Sequence, residues 1–221
     1  MNNHQGQDDV RPDNVFYETF PVGPLQCNCV VIGDKVSGKA IVIDPGGDVE
    51  KILGILQRES LHLTQIIHTH AHLDHILASG ELKALTGAEL YLHKGDKFLW
   101  DAVEQQCQMF GVPSVKLPEP DKYLKDEEAL SCVDGICLHT PGHTPGSVSF
   151  WFEPANLLVA GDTLFRRSVG RTDLPGGDFD TLQKSISEKL YKLDDEVTVV
   201  TGHGPDTRLG DEKAENPFVR G

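Results

Sequence analysis

Residues 69–75 read Thr-His-Ala-His-Leu-Asp-His and place three imidazoles and one carboxylate within seven positions. Side chains alternate in an extended or loosely turned backbone, so His70, His72 and Asp74 share one side. A lone histidine is ordinarily solvated or hydrogen-bonded, but imidazoles and a carboxylate gathered without a cation would remain unpaired at a high cost in free energy. The stretch therefore predicts a metal site. We expect the adjacent Asp74 and His75 to diverge toward two different ions.

Apolar runs on both sides of this stretch predict a mixed α/β chain. Leu61–His68 forms a strand that delivers the metal residues at its C-terminal end, and Ile76, Leu82 and Leu85 follow at helical spacing. Gly87 then suits the left-handed conformation of a helix end. Further strands are predicted at residues 16–20, 29–32, 39–44, 89–93, 136–139, 147–152, 156–160 and 197–201.

Helix signals separate several of these strands. Asp48 and Asp178 each precede a run of helical periodicity and suit the N-cap position. The apolar positions of the second run are Phe179, Leu182, Ile186 and Leu190. Residues 94–110 are also helix-prone, whereas prolines and charges at residues 111–128 predict a surface connection. The tail after Asp206 shows little apolar periodicity.

Three further metal-type residues follow predicted strands. His143 lies between two Pro-Gly turns, which fix its backbone, and His203 follows the last strand. Asp162 ends an apolar strand, where an unpaired charge requires a cation or a dense hydrogen-bond network. One edge of the sheets therefore carries the chemistry. Strands followed by a helix occur once in each half, which predicts two mixed sheets face to face with helices outside.

Length and composition restrict the class of protein. The chain has 221 residues, long enough for one domain covering residues 1–221 with a flexible polar N-terminus at residues 1–14. No run approaches the roughly 20 apolar residues that span a bilayer. The net charge of −14 disfavours nucleic acid and anionic membranes as partners, which leaves a small-molecule substrate.

Cysteine usage and the N-terminus predict a cytoplasmic protein. Five cysteines without a regular framework suit a reducing compartment, and most are expected to be buried as small hydrophobic residues. Cys27-Asn28-Cys29 opens an apolar run and has no second pair, so a soft-metal or redox role is disfavoured. The N-terminus has no apolar segment typical of a secretory signal.

Four ordered motifs resemble those of the metallo-β-lactamase superfamily across nearly the whole chain. They are THAHLDH, HTPGHTPG, GDTLF and TGHG. The resemblance implies a four-layer αβ/βα sandwich. Within that superfamily, the segment Val169–Asp178, read VGRTDLPGGD, looks like the short, glyoxalase II-like bacterial hydrolases, also called hydroxyacylglutathione hydrolases.

The resemblance also implies a ligand set for two divalent ions. His70, His72 and His143 resemble the ligands of the first ion. Asp74, His75 and His203 resemble those of the second ion, and Asp162 resembles the bridging ligand. Imidazoles and carboxylates suit zinc, with iron or manganese as alternatives. His68 and His139 match no ligand position, and we expect them to support the site structurally.

A thioester is the substrate that this chemistry favours. Two ions that share a water lower its pKa to near ~7, so that hydroxide can attack a polarised carbonyl. Asp74 could orient that hydroxide as well as bind metal. A thiol leaves as thiolate without a proton donor, and the ligand motifs contain no spare acid that an alcohol or amine would need.

Glutathione recognition is less fully encoded. Longer glyoxalase II enzymes hold glutathione with a C-terminal helical domain, which we do not expect here, and the tyrosine that follows their last metal histidine is absent. Arg171 matches a basic glutathione-contacting position of that family. Arg166, Arg167 and Arg171 can be read as a solvated basic loop or as an anion clamp beside the metals.

Two classes of enzyme compete with the thioester hydrolase. A mononuclear Fe(II) persulfide dioxygenase would use His70, His143 and Asp162 as a two-histidine, one-carboxylate face. A lactonase or another hydrolase of the same fold would keep both ions. A non-catalytic scaffold should have lost ligands, whereas all seven are present. The oligomeric state is left open by the sequence.

Overall fold

Two β-sheets lie face to face between layers of helices in the computed structural model, which describes residues 12–221. The flexible N-terminus predicted for residues 1–14 therefore falls largely outside the described residues. Asn14, at the start of the described chain, donates a hydrogen bond of 3.1 Å to the carboxylate of Asp34.

The first sheet has six strands in chain order and mixed direction. They are β1 (Val15–Val22), β2 (Cys27–Asp34), β3 (Lys39–Ile43), β4 (His62–Ile67), β5 (Glu89–His93) and β6 (Lys122–Leu124). The strands β1 to β3 pair antiparallel, and β3 to β6 pair parallel. The interpretation of residues 111–128 as connection alone is wrong, because β6 adds three residues of edge strand beside β5.

The second sheet is also mixed and is accompanied by a small hairpin. The strands of the second sheet and of the hairpin are, in chain order, β7 (Gly135–His139), β8 (Val148–Phe152), β9 (Leu157–Gly161), β10 (Leu164–Phe165), β11 (Ser168–Val169), β12 (Thr198–Thr201) and β13 (Thr207–Arg208). The sheet order is β13-β12-β9-β8-β7, with β9 and β12 parallel, and β10 pairs with β11.

Seven α-helices are assigned in residues 12–221. They are α1 (Val49–Arg58), α2 (Leu73–Ile76), α3 (Ser79–Thr86), α4 (Lys97–Asp101), α5 (Val103–Phe110), α6 (Phe179–Glu188) and α7 (Leu209–Glu215). None of these helices is long and apolar enough to cross a bilayer. The helix-prone region 94–110 is divided into a 3₁₀ turn and two α-helices, and α7 was not expected from the sequence.

All three predicted helix ends are confirmed in position, but one of them lacks a side-chain cap. Asp178 Oδ1 accepts a hydrogen bond of 2.7 Å from the Thr181 amide, as an N-cap should. Gly87 ends α3 with a left-handed φ of 72°. Asp48 precedes α1 but has a φ of 52° and makes no side-chain cap. Its carboxylate instead accepts the Gly23 amide at 2.7 Å.

The core confirms the four-layer αβ/βα sandwich. Side chains from β2, β3, β8 and β9 meet between the sheets, with Phe150 and Phe152 fully buried. The other face of the first sheet packs on α1 and α3, and that of the second sheet on α6 and α7. In α6, Leu182 and Ile186 are buried, whereas Phe179, expected on the same face, is 39% exposed.

Parallel strand pairs position the functional edge. The pair β3–β4 in the first sheet and the pair β9–β12 in the second both end on the edge where the polar motifs begin. Asp44 and residues 68–75 follow the first pair, and Asp162 and His203 follow the second. Each sheet therefore supplies side chains to one shared site.

Candidate metal centre

Seven predicted residues come together at this edge. Ligand atoms of the members of each of three overlapping groups lie within 4.8 Å of one another. The groups are His70, His72 and His143; His70, His75 and Asp162; and Asp74, His75 and His203. The expected divergence of Asp74 and His75 is wrong, since Asp74 Oδ2 lies 3.7 Å from His75 Nε2. The turn at the start of α2 brings these adjacent side chains to the same side.

The first group consists of three imidazoles that converge on one point. His143 Nε2 lies 3.2 Å from His70 Nε2 and 2.9 Å from His72 Nδ1. Ligand nitrogens of a tetrahedral ion with metal–nitrogen bonds of ~2.05 Å are separated by about 3.3 Å. The observed separations are therefore close to those of ligands that share one ion.

Hydrogen bonds at the opposite ring nitrogens fix the tautomers. His143 Nδ1 donates to the Arg171 carbonyl at 2.7 Å. His70 Nδ1 lies 3.1 Å from Thr69 Oγ1, whose hydroxyl donates to Asp44 at 2.6 Å, so this nitrogen also carries the proton. The Nε2 lone pairs of both imidazoles consequently face each other, an arrangement that a bound cation stabilises.

The second group combines two imidazoles with carboxylates. His203 Nε2 lies 3.0 Å from Asp74 Oδ2. Asp162 stands between the groups, with Oδ2 3.6 Å from His143 Nε2 and Oδ1 3.5 Å from His75 Nε2. Each carboxylate oxygen of Asp162 thus faces a different group, which is the placement that a bridging ligand requires.

Unsatisfied polar atoms test whether the site fits metal ions. In residues 12–221, three buried side-chain polar atoms have no hydrogen-bond partner, and two of them are His75 Nε2 and Asp162 Oδ1. Leaving such atoms unpaired is costly. A cation between them would satisfy both, so the donor set and its geometry fit divalent metal ions.

Asp44 is a supporting residue that was not identified from the sequence. Its Oδ2 accepts from His75 Nδ1 at 2.9 Å and from Thr69 Oγ1 at 2.6 Å, and its Oδ1 accepts the Thr69 amide at 2.7 Å. The side chain is almost fully buried. An aspartate at the end of the apolar strand 39–43 was the available signal, and it is the same signal that marked Asp162.

Asp96 connects the two loops that carry the first group. Its carboxylate accepts from the Ala71 amide at 2.9 Å, the Thr144 hydroxyl at 2.8 Å and the Gly146 amide at 2.6 Å. Burial raises the pKa of this carboxyl, although these donors oppose the shift. The loop after β4 and the Pro-Gly loop around His143 are therefore held together by one buried side chain.

Close backbone approaches explain two glycines near the ligands. A Cβ on Gly46 would lie 1.6 Å from the Asp74 carbonyl oxygen, and a Cβ on Gly202 would lie 1.9 Å from Asp162 Oδ1. No side chain can occupy those positions without displacing a proposed ligand.

Burial keeps two imidazoles of the first group, those of His70 and His72, neutral. Burial and the nearby imidazole of His143 lower the pKa of His72 to about 3. Burial and the surrounding imidazoles also lower the pKa of His70 well below its ordinary value. Neutral imidazoles are the metal-binding form.

Carboxylates give the second group the opposite character. Burial alone would lower the pKa of His75, but Cys27 and the carboxylates of Asp74, Asp44 and Asp162 outweigh it and raise that pKa well above its ordinary value. The hydrogen bond to Asp74 raises the pKa of His203. Burial opposes ionisation of Asp74, yet His75 and His203 lower its pKa below the usual range.

The two histidines expected to support the structure lie outside the ligand groups. His68 is fully buried between the Tyr91 carbonyl at 2.8 Å and the Ser79 hydroxyl at 2.7 Å. His139 stacks on His93 with ring centroids 4.1 Å apart and bonds the Pro145 carbonyl at 3.0 Å. Both stabilise segments that lead into the ligand loops.

The basic loop is held by internal ion pairs. The Arg171 guanidinium makes two parallel hydrogen bonds of 2.7 Å to Asp173. After burial and neighbouring histidines, its positive charge is a further cause of the lowered pKa of His72, so Arg171 acts electrostatically on the first group. Arg167 pairs with Glu215, on α7. Nothing in these contacts assigns Arg166 to the site.

All five cysteines are free and buried, as predicted for most of them. Cys27 has one contact that the sequence did not indicate, with its Sγ 3.3 Å from His75 Nδ1. Burial raises the pKa of this thiol to about 12. It is therefore a neutral neighbour of the site.

An αβ/βα sandwich with this cluster of imidazoles and carboxylates at one edge defines a class of metal-dependent hydrolases. The sequence profile described as the Metallo-beta-lactamase superfamily matches residues 22–203, and the chain belongs to that superfamily. The family predicted from the four motifs is thus confirmed.

Relatives agree with this assignment along nearly their full length. Hydroxyacylglutathione hydrolase GloC of Haemophilus influenzae is 39% identical over 206 residues, covering 91% of this chain and 97% of the relative. The solved structure of BLEG-1 B3 metallo-beta-lactamase has a TM-score of 0.85 and 37% identity, covering 93% of this chain and 100% of that one. TTHA1623, solved in a di-iron-bound form, has a TM-score of 0.84 and 36% identity over 91% and 100% of the two chains.

Proposed function

We propose that this protein is a dinuclear metal-dependent hydrolase of thioesters, with S-lactoylglutathione as the representative substrate. The observation that carries the proposal is the position of Asp162, whose two oxygens face separate groups of imidazoles. His70, His72 and His143 would hold the first ion. Asp74, His75 and His203 would hold the second. The name of the Haemophilus relative supports the substrate class.

Zinc is the proposed metal, with iron or manganese as alternatives. Imidazole nitrogen and carboxylate oxygen suit all three, and the di-iron form of TTHA1623 supports an iron variant of the same site. When bound, a pair of divalent ions supplies Lewis acidity toward the carbonyl and lowers the pKa of a shared water toward ~7.

Asp74 orients the attacking water in this proposal. The imidazoles of His75 and His203 overcome the effect of burial and keep the pKa of Asp74 low, so its carboxylate stays ionised. An ionised carboxylate at this position accepts a hydrogen bond from water and directs the oxygen lone pair toward the substrate. Asp74 would thus have two roles, as ligand and as positioning base.

Arg171 would bind a carboxylate of the substrate. Its guanidinium already pairs with a carboxylate in the two-bond geometry that a glutathione carboxylate could adopt. The substrate must then displace Asp173, which is exposed and can turn toward solvent. The thiol product departs as thiolate, so Asp74 and Asp162 need not donate a proton.

A cytoplasmic location completes the proposal. Five free, buried cysteines are typical of proteins that remain in a reducing compartment. Small thiol esters are substrates that such a compartment contains.

Purified protein tests the proposal through S-lactoylglutathione hydrolysis and elemental analysis. We expect the wild-type protein to turn over this substrate and to contain two metal ions per chain. Asp162→Ala should lose the activity and the two-ion metal content. The matched control is Asp180→Ala, an exposed aspartate on α6, which should behave as wild type. One iron per chain with oxygen uptake on glutathione persulfide would overturn the proposal in favour of a dioxygenase. Hydrolysis of lactones or β-lactams without thioester turnover would overturn the substrate class.

A further inference from the structure

The start of β2 reaches across to the loop that carries His203. The Asn28 side-chain amide donates to the Thr201 carbonyl at 2.9 Å and to the Gly204 carbonyl at 3.0 Å. The Asn28 backbone amide donates to the Gly202 carbonyl at 2.8 Å. These three hydrogen bonds bracket His203 on both sides. They also join the two sheets, because Asn28 lies in the first sheet and Thr201 ends a strand of the second.

The His203 loop depends on such support. It follows β12, has an isolated β-bridge at His203, and contains Gly204 with a left-handed φ of 74°. The His203 side chain is 32% exposed, in contrast to His75, which is fully buried. Packing therefore restrains His203 less than His75, and the path of its backbone decides where the imidazole points.

Asn28 satisfies the requirements for a rigid support. It is 8% exposed, and both of its N–H donors are used on carbonyls of one loop. Carbonyl acceptors buried with a side-chain amide cost free energy if that amide is removed. Cys27 adds a β-bridge to His203 and places Sγ 3.3 Å from His75 Nδ1. The first two residues of β2 thus contact both imidazole-bearing segments of the second group.

We propose that Asn28 is a positioning residue for the second metal ion, acting as a latch that holds His203 within reach of Asp74 and His75. This inference rests on the dinuclear centre proposed above. The inference predicts different effects on the two ions, because Asn28 makes no hydrogen bond to the residues of the first group. Removing the hydrogen bonds of Asn28 should therefore weaken the binding of the second ion and leave the binding of the first ion unchanged.

Asn28→Asp is the sharpest test, because it keeps the size of the side chain and replaces both donors with an oxygen that repels the two carbonyls. Metal-free protein would be titrated with Co²⁺, and the two binding steps followed by calorimetry and by the visible spectrum of the bound ion. We expect the second step to weaken roughly 10- to 100-fold and the first step to match wild type. Asn156→Asp is the matched control. It removes one hydrogen bond of 3.0 Å, from the Asn156 side-chain amide to the Glu196 carbonyl, at a remote turn.

A second readout requires no metal. Hydrogen exchange of metal-free protein should show faster exchange at residues 201–204 in Asn28→Asp and wild-type exchange there in Asn156→Asp. Asn28→Ser introduces no charge and retains one donor, so it should give an intermediate loss of affinity and serves if the aspartate variant does not fold.

The outcomes distinguish the latch from the dinuclear centre. Wild-type protein that binds one Co²⁺ would overturn the dinuclear centre and the latch with it. Wild-type protein that binds two ions, with unchanged second-step affinity in both Asn28 variants, would overturn the latch alone. Equal weakening of both steps would also overturn it, because the effect would then be a general loss of structure.

Discussion

Asp44 Oδ2 lies 2.9 Å from His75 Nδ1, although 31 residues separate them in sequence. The same oxygen accepts the Thr69 hydroxyl, which in turn receives the proton of His70 Nδ1. One buried carboxylate therefore orients an imidazole of each ligand group. Supporting hydrogen bonds of this kind fix ring orientation and raise the basicity of the ligand nitrogen.

Asp44→Asn should weaken the binding of both metal ions. The neutral amide cannot replace a charged acceptor that serves two donors through one oxygen, so we expect each affinity to fall roughly 10- to 100-fold. Asp48→Asn is the control, because Asp48 has the same left-handed backbone but bonds Gly23 away from the ligands. Metal titration of the two variants is the measurement, and wild-type affinity in Asp44→Asn would contradict the role of this carboxylate.

Arg171→Gln should raise KM for S-lactoylglutathione about 10-fold, because a neutral amide cannot replace the charge-assisted pair of hydrogen bonds that a guanidinium makes to a carboxylate. The kcat should change less, because the ligands stay in place. Asp173→Asn should lower KM by freeing the guanidinium. Steady-state kinetics with a thioester that lacks a carboxylate provides the control. A similar change in KM for both substrates would exclude an ion pair with the substrate.

Gly46→Ala should abolish metal binding and lower the melting temperature. Its Cβ would lie 1.6 Å from the Asp74 carbonyl oxygen, so the backbone that carries Asp74 must move. Gly54→Ala is the matched control, because Gly54 lies within α1 and its added Cβ meets no atom within 4 Å. That control should stabilise the fold by roughly 0.5–1 kcal/mol. Thermal unfolding with metal analysis compares the two, and normal metal content in Gly46→Ala would be inconsistent with the geometry.

Acidification should remove the second ion before the first. The pKa values of His75 and His203 are raised, so metal must displace protons there near neutral pH. The pKa of His72 is lowered to about 3 and that of His70 is also lowered, so protons compete for these two imidazoles of the first group only in stronger acid. Calorimetry in two buffers of different ionisation enthalpy should therefore detect proton release in the second binding step. Proton release confined to the first binding step would contradict the expected order in which acid removes the two ions.

Much of the fold follows from local patterns in the sequence. Apolar runs such as residues 197–201 are buried on both faces, so the strand is recognisable without its neighbours. The edge strand β6 and helix α7 are different. In β6 only Leu124 is buried. In α7 the buried residues are Leu209 and Glu212, and Glu212 accepts a hydrogen bond from the Thr207 hydroxyl. Such elements depend on tertiary contacts that periodicity does not reveal.

The candidate site shows the same division. Seven residues at strand ends could be predicted to gather, because the carboxyl ends of parallel strands share an edge. The strand-end position of Asp44 was a signal, but the supporting roles of Asp44 and Asn28 could not be predicted, since both act through residues that are distant in sequence. Asp48 illustrates the limit, because its identity suited a helix cap while its backbone conformation directs it to Gly23.

The backbone and the side chain of Arg171 make separate contacts, and the backbone alone hydrogen-bonds to a residue of the site. Its carbonyl oxygen receives the proton of His143 Nδ1, while its side chain extends to solvent and pairs with Asp173. Every amino acid supplies that carbonyl, so replacement of the side chain leaves His143 oriented. Under the proposed function, evolution could therefore exchange the recognition group at this position without rebuilding the metal centre, which would give one scaffold a route to new substrates through single-residue changes.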